Sequence, residues 1–236
     1  MATDRKRVAK KLTSIDKRVA KKRGTKTAKK VVTKSIDLRK ERKALYTARA
    51  GKPTIVDSVP TQILAVDGVG HPSMATPRFE DAIAGLFCIA FGMKFGRKKA
   101  GKGPDFAVPN LEAMWWVKDN QPMTAATAPA DWRWTAFVAV PDFLTKADVT
   151  AAAKGAGKDA PALAKKVALR KLKEGKSVQL LHLGPYDQEG GTVAQMHAFA
   201  ASNGLKVRGK HHEIYLNNPA NTAPEKLKTI LRLAVK

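Results

Sequence analysis

Glu213 is the carboxylate of this chain best placed for chemistry, because of the residues around it. The segment Val207-Arg-Gly-Lys-His-His-Glu-Ile-Tyr-Leu216 reads as a strand. Strand side chains alternate faces, so Glu213 shares one face with His211 and Tyr215, while Ile214 and Leu216 take the other. If the aliphatic face packs under helices, Glu213 and Tyr215 point into a groove on the opposite face, where a carboxylate is costly without a partner or a task. The competing reading is a solvent-facing Glu on a half-exposed antiparallel sheet.

Aromatic residues favour the groove. Trp115, Trp116, Trp132, Trp134, Tyr186 and Tyr215 all fall on expected strands or at their ends. Aromatic walls around one charged group suit a flat, partly cationic or hydrogen-bonding ligand, through stacking and cation–π attraction. Trp132 and Trp134 share a strand face, whereas the adjacent Trp115 and Trp116 cannot both enter one groove without a bulge.

Other chemistries lack their residues. His211 and His212 point to opposite sides of a regular strand, and His71, His182 and His197 are scattered, so no metal site is expected. The lone Cys88 lies in an apolar run and supports neither a disulfide nor a thiolate zinc site. There is no GxSxG elbow. Nor is there a GxxxxGK[ST] phosphate loop, and Asp67-Gly-Val-Gly70 is followed by Ser73 where a dinucleotide fingerprint needs glycine, so no cofactor is expected.

The elements that would position these groups repeat in order. A short helical pattern, Ser35 to Tyr46, precedes a strand from Thr61 to Val66 that ends in the Asp67–Gly70 turn. A helix from Pro77 to Lys99 follows, with Phe79, Ile83, Leu86, Phe87, Ala90 and Met93 at helical intervals, then strands at Leu111–Lys118 and Trp132–Val140. After a helical stretch near Lys146–Lys154 and a basic segment near Lys165–Lys173, the order returns: strand Ser177–Pro185, helix Gly191–Asn203, strands Val207–Leu216 and Leu227–Val235. This predicts an α+β fold of two tandem βαββ repeats, an antiparallel sheet related by a pseudo-twofold with helices on one face and a central ligand cleft.

Charge divides the chain differently. The net charge is +24, and residues 1–34 carry fourteen Lys/Arg against Asp4 and Asp16. Half the excess therefore sits in a tail without aromatics, expected to be disordered or transiently helical, and residues 35–236 form the domain. Val8, Leu12, Ile15 and Val19 share one helical stripe. Arg5, Lys6, Arg7, Lys10, Lys11, Lys21, Lys22 and Arg23 offer non-specific contacts to DNA or RNA phosphates. No apolar stretch reaches the ~18 residues of a membrane span, so a cytoplasmic, nucleoid-associated location is expected. Oligomeric state is not legible.

Several ordered blocks resemble the GyrI-like small-molecule-binding domains, in particular a stand-alone group with a WW pair. They are Ile36-Asp-Leu-Arg-Lys-Glu41, Leu111-Glu-Ala-Met-Trp-Trp116, Asp131-Trp-Arg-Trp134, Leu181-His-Leu-Gly-Pro-Tyr-Asp187, Arg208 to Leu216 and Thr222 to Leu231. The resemblance implies a cleft between two repeats with Glu213 as its internal charge and an aromatic cage. A subgroup of the family hydrolyses the cyclopropane of DNA-alkylating natural products of the yatakemycin type, and the WW, GPYD and HHEIYL blocks are similar to that subgroup. In such a reaction Glu213 orients water, Tyr215 or Tyr186 donates to the ligand carbonyl, and Trp115, Trp116, Trp132, Trp134 and His211 hold the planar ring. The alternative is a non-catalytic ligand binder, or a nucleic-acid-associated protein that uses its basic tail.

Overall fold

The computed structural model describes residues 35–72, 79–120 and 127–236; the basic tail and its eight candidate contacts lie outside the described residues. In chain order the elements are α1 (Leu38–Glu41), β1 (Thr54–Ser58), β2 (Thr61–Val69), α2 (Phe79–Lys99), β3 (Glu112–Val117), β4 (Trp132–Ala139), α3 (Lys146–Ala156), β5 (Ala168–Leu172), β6 (Gly175–Leu183), α4 (Gly190–Ser202), β7 (Val207–Tyr215) and β8 (Lys228–Val235). The eight strands form one antiparallel sheet in the order β1-β6-β8-β7-β3-β4-β2-β5. The halves β2-β4-β3 and β6-β8-β7 mirror one another about the β3–β7 pair, which is the pseudo-twofold that the repeated order predicts.

β1 and β5 were not legible as strands, and they change the shape of the sheet. Only Val59 and Pro60 separate β1 from β2, and only Lys173 and Glu174 separate β5 from β6. These two long bent strands run against each other in one register: Thr54 opposite Gln179, Ser58 opposite Gly175, Thr61 opposite Leu172, Ala65 opposite Ala168. The sheet therefore closes on itself through these paired strands, which confines the open edges to the two short strands β1 and β5. Ser58 clamps the corner, its Oγ accepting from Gly175 N at 3.0 Å.

Closure gives the sheet an inside and an outside. The inside holds Ile63, Ala65 and Phe137 with a buried polar network. In it the His212 imidazole lies between two carboxylates, Nδ1 at 3.0 Å from Glu174 Oε1 and Nε2 at 3.0 Å from Glu112 Oε2. Arg232 reaches Glu174 and Gln179, and the Tyr46 hydroxyl donates to Glu112 at 2.8 Å. The outside carries the helices: α2 packs mainly over β2 and β4, α4 over β6 and β8, so neither helix is centred on β3 and β7.

Two local expectations change. The glycine of Asp67-Gly68-Val69 is not a turn residue, because β2 runs through it to Val69. Its missing side chain makes room for the Trp134 ring, which lies 1.9 Å from where a Cβ would stand. The basic segment near Lys165–Lys173 contains β5, its strand pattern hidden because two of its five residues are cationic.

Candidate functional site

The groove expected on the face away from the helices is instead on the helix-bearing face, at the seam of the two halves. The pairing decides this. His211 lies opposite Trp115, and Glu213 opposite Ala113 and Leu231; those three partners belong to or flank the cores under α2 and α4. Ile214 points the other way, opposite Glu112 and Ile230, into the closed interior. Alternation along the strand put Glu213, His211 and Tyr215 together correctly, but which face meets the helices depended on the sheet's closure. With an inside to fill, the even-numbered side chains His212 and Ile214 are the wholly buried ones.

Three ionisable groups meet at this seam. His211 Nε2 stands 3.3 Å from Glu213 Oε1 and 3.6 Å from Glu189 Oε2, with all three side chains largely buried. Glu189 comes from the turn that opens α4, and its Oε1 has no hydrogen-bond partner among the described residues. Burial, together with repulsion from Glu213, lifts the Glu189 carboxyl to about 7. For His211 burial opposes protonation, but the contacts and charges of Glu189 and Glu213 outweigh it and hold the imidazole up at about 9. The cluster thus favours an imidazolium at His211 and holds a proton on Glu189 to higher pH than an open carboxyl would.

Tyr215 is committed to this cluster. Its hydroxyl accepts from Trp115 Nε1 at 3.2 Å and interacts with Glu213; burial first, then the Glu213 charge, drive its ionisation well above the usual phenol range. The Tyr186 ring meets Tyr215 edge-on at 5.7 Å and is 38% exposed. On the α2 side Phe79 packs on Trp115 at 4.8 Å, Trp115 meets Trp132 at 6.1 Å, and His71 meets Trp132 at 5.0 Å. Among the described residues Trp132 Nε1, like Trp134 Nε1, is buried without a hydrogen-bond partner.

Of the residues singled out from sequence, the fold therefore brings together Glu213, His211, Tyr215, Tyr186, Trp115 and Trp132. It separates two. Trp116 faces the opposite side of the sheet, where Lys210 Nζ lies 3.1 Å from its ring centroid. Trp134 is wholly buried over Gly68 in the core, directly across the strand pair from Trp115 and edge-on to Phe79 at 5.1 Å. Alternation decides Trp116, since only one of two adjacent strand residues can face the seam; for Trp134 a strand position tells which residues share a face, not how deep each one ends.

Glu189 was missed, although a signal existed. It is an acid at the mouth of a helix that starts Gly190-Gly191, two residues past the GPYD block. The cluster Glu189, His211, Glu213 also offers three metal-ligating atoms within 4.8 Å of one another, a carboxylate-rich donor set that strand alternation alone could not reveal.

Comparison with known proteins agrees with this architecture. No curated protein matches the sequence. A conserved protein of Listeria innocua is 35% identical over 86% of this chain and 100% of its own, with a TM-score of 0.77. Two solved structures described as a hydrolase of Listeria innocua, with the same coverage, are 35% and 34% identical, with TM-scores of 0.73 and 0.76. The model of the GyrI-like small molecule binding domain matches residues 112–236, from the first residue of β3 through the second repeat. On this evidence, and with two βαββ halves meeting at a shared seam, the chain belongs to the GyrI-like small-molecule-binding domain family.

Proposed function

We propose that the protein binds planar, hydrophobic xenobiotics at the β3–β7 seam in an aromatic cage and hydrates the activated cyclopropane of DNA-alkylating natural products, thereby detoxifying them in the cytoplasm. One observation carries the reading: an acid–base cluster, Glu189–His211–Glu213, sits among Trp115, Trp132, Tyr186 and Tyr215, with Glu189 Oε1 and Trp132 Nε1 buried and unpartnered. Buried polar atoms usually have a partner in protein or ordered water, so two unpartnered ones beside an acid–base cluster are where the polar groups of a ligand would bind. That two solved structures a third identical over their whole length are described as a hydrolase supports turnover rather than storage.

The chemistry balances without a cofactor. A water oxygen attacks the cyclopropane methylene, the strained carbon–carbon bond breaks, and its electron pair flows into the conjugated ring to give a phenolate. Glu213 takes the water's proton. Tyr215 cannot serve the ligand carbonyl, because its hydroxyl is engaged by Trp115 and Glu213, so it positions the base. Tyr186, at the exposed rim, supplies the hydrogen bond to the developing oxyanion. The basic tail, residues 1–34, would hold this scavenger near the DNA that an alkylator attacks, through contacts that weaken steeply with salt.

The test is incubation with a panel of planar cyclopropanoid electrophiles, following each by mass. A gain of one water with wild-type protein is expected. Retention of unchanged ligand by the protein would leave a passive binder and remove the hydrolase reading.

A further inference from the structure

The helix α2 is apolar on more sides than one core can cover. Inward it buries Ala82, Leu86, Ile89 and Met93 against the sheet. Outward it carries Phe91 and Phe95, 37% and 38% exposed, and they continue a ladder of rings stacked at 6.0 Å and 6.0 Å from Phe87, which is half-buried against the edge of the core. Helices that are apolar all round are normally covered on all sides, and contiguous exposed apolar surface marks an interaction site.

The ends of the ladder say what covers it. At about 100° per residue, Glu80, Ala84, Phe87, Phe91, Phe95 and Lys98 fall within about 40° of one line along the helix. The stripe therefore begins with an acid and ends with a base. Two such helices laid antiparallel about a twofold axis place Glu80 of one protomer against Lys98 of the other, with Phe87 over Phe91 at the centre. Laid parallel, they would set like charge on like. Lys98 is available for this: its side chain is 59% exposed, and its contact with Asp105 is long, at 3.8 Å. The N-terminal segment, with its net +12, suits the same stripe poorly, because the C-terminal end of α2 is itself basic at Arg97, Lys98 and Lys99.

We propose that the outer face of α2 is an isologous dimer interface, occupied by a second copy of this chain in antiparallel orientation. The contact is a single helix pair, smaller than a standard stable interface, so association in roughly the micromolar range is expected. It lies on the side of α2 turned away from the sheet, and does not depend on the reading of the ligand site.

Sedimentation velocity on the full chain from about 1 to 200 µM tests it. The wild type should shift from monomer to dimer, and Phe91→Lys should weaken the dimer about a hundredfold or more with an unchanged circular dichroism spectrum, as for a central anchor. Glu80→Lys and Lys98→Glu should each weaken it several-fold, and the double swap should restore it to within about threefold, since the pairs are reciprocal. A chain that stays monomeric throughout, a dimer indifferent to Phe91→Lys, or a double swap no better than either single variant overturns the proposal. A monomer in which Phe91→Cys, in a Cys88→Ser background, is shielded from thiol reagents assigns the stripe to the chain's own N-terminal segment, and overturns it as well.

Discussion

Replacing Glu189 by Gln should make the protein more stable and less active, and the size of the first effect follows from its surroundings. Burial and Glu213 hold the folded carboxyl at about 7, against 4.5 in an open chain. Between those values the folded state keeps a proton that the unfolded state has released, so stability falls as pH rises through about 4.5 to 7. Two and a half pH units correspond to about 3 kcal/mol. Gln keeps the shape and removes that cost. The attraction of His211 is already contained in the value of about 7, so what Gln returns is the cost of an amide left to be satisfied, about 1–2 kcal/mol. Urea unfolding followed by tryptophan fluorescence should therefore give a Glu189→Gln variant within error of wild type at pH 4, and about 1–2 kcal/mol more stable at pH 8. Turnover of a cyclopropanoid should fall at the same time, the stability–activity exchange common at sites holding a strained charge. A variant less stable than wild type by about 1 kcal/mol or more at pH 8 would refute the reasoning, and would make Glu189 an ordinary ion-pair partner of His211.

Glu213→Gln should keep the fold and bind a planar ligand within about tenfold of wild type, while turnover drops by roughly two orders of magnitude; an unchanged rate in a mass assay removes its role as base. Glu174→Gln should cost about 3 kcal/mol at neutral pH, because burial is outweighed by His212 and Arg232, which hold the carboxyl down at about 2. That contribution is present above pH 4.5 and lost as pH falls through about 2, so the gap between variant and wild type in urea melts should close in strong acid. The cleft gains one negative charge as Glu189 ionises, so affinity for a cationic planar dye should rise with pH through about 7, and in Glu189→Gln this step should vanish from a fluorescence titration. Gly68→Ala should destabilise by several kcal/mol in thermal melts, since its Cβ would stand 1.9 Å from the Trp134 ring.

Local patterns along the chain already tell which residues share a face and in what order the elements come. Period-2 alternation joined Glu213 to His211 and Tyr215, and helical spacing marked α2 and α4, because both patterns are local consequences of backbone geometry. Ordered motif blocks carried the family. Depth and direction were not local. That Trp134 is core over Gly68 while Trp132 reaches the seam depends on β2 lying beside β4, some 65 residues apart in the chain. That Glu213 faces the helices depends on β1 and β5, two short strands with too little apolar pattern to read, closing the sheet and creating an interior for His212 and Ile214. Glu189 joined His211 and Glu213 because α4 returns its first turn to the strand that follows it. Such pairings are set by the packing of whole layers, which minimises exposed apolar area over the entire chain, and no window of sequence contains that sum.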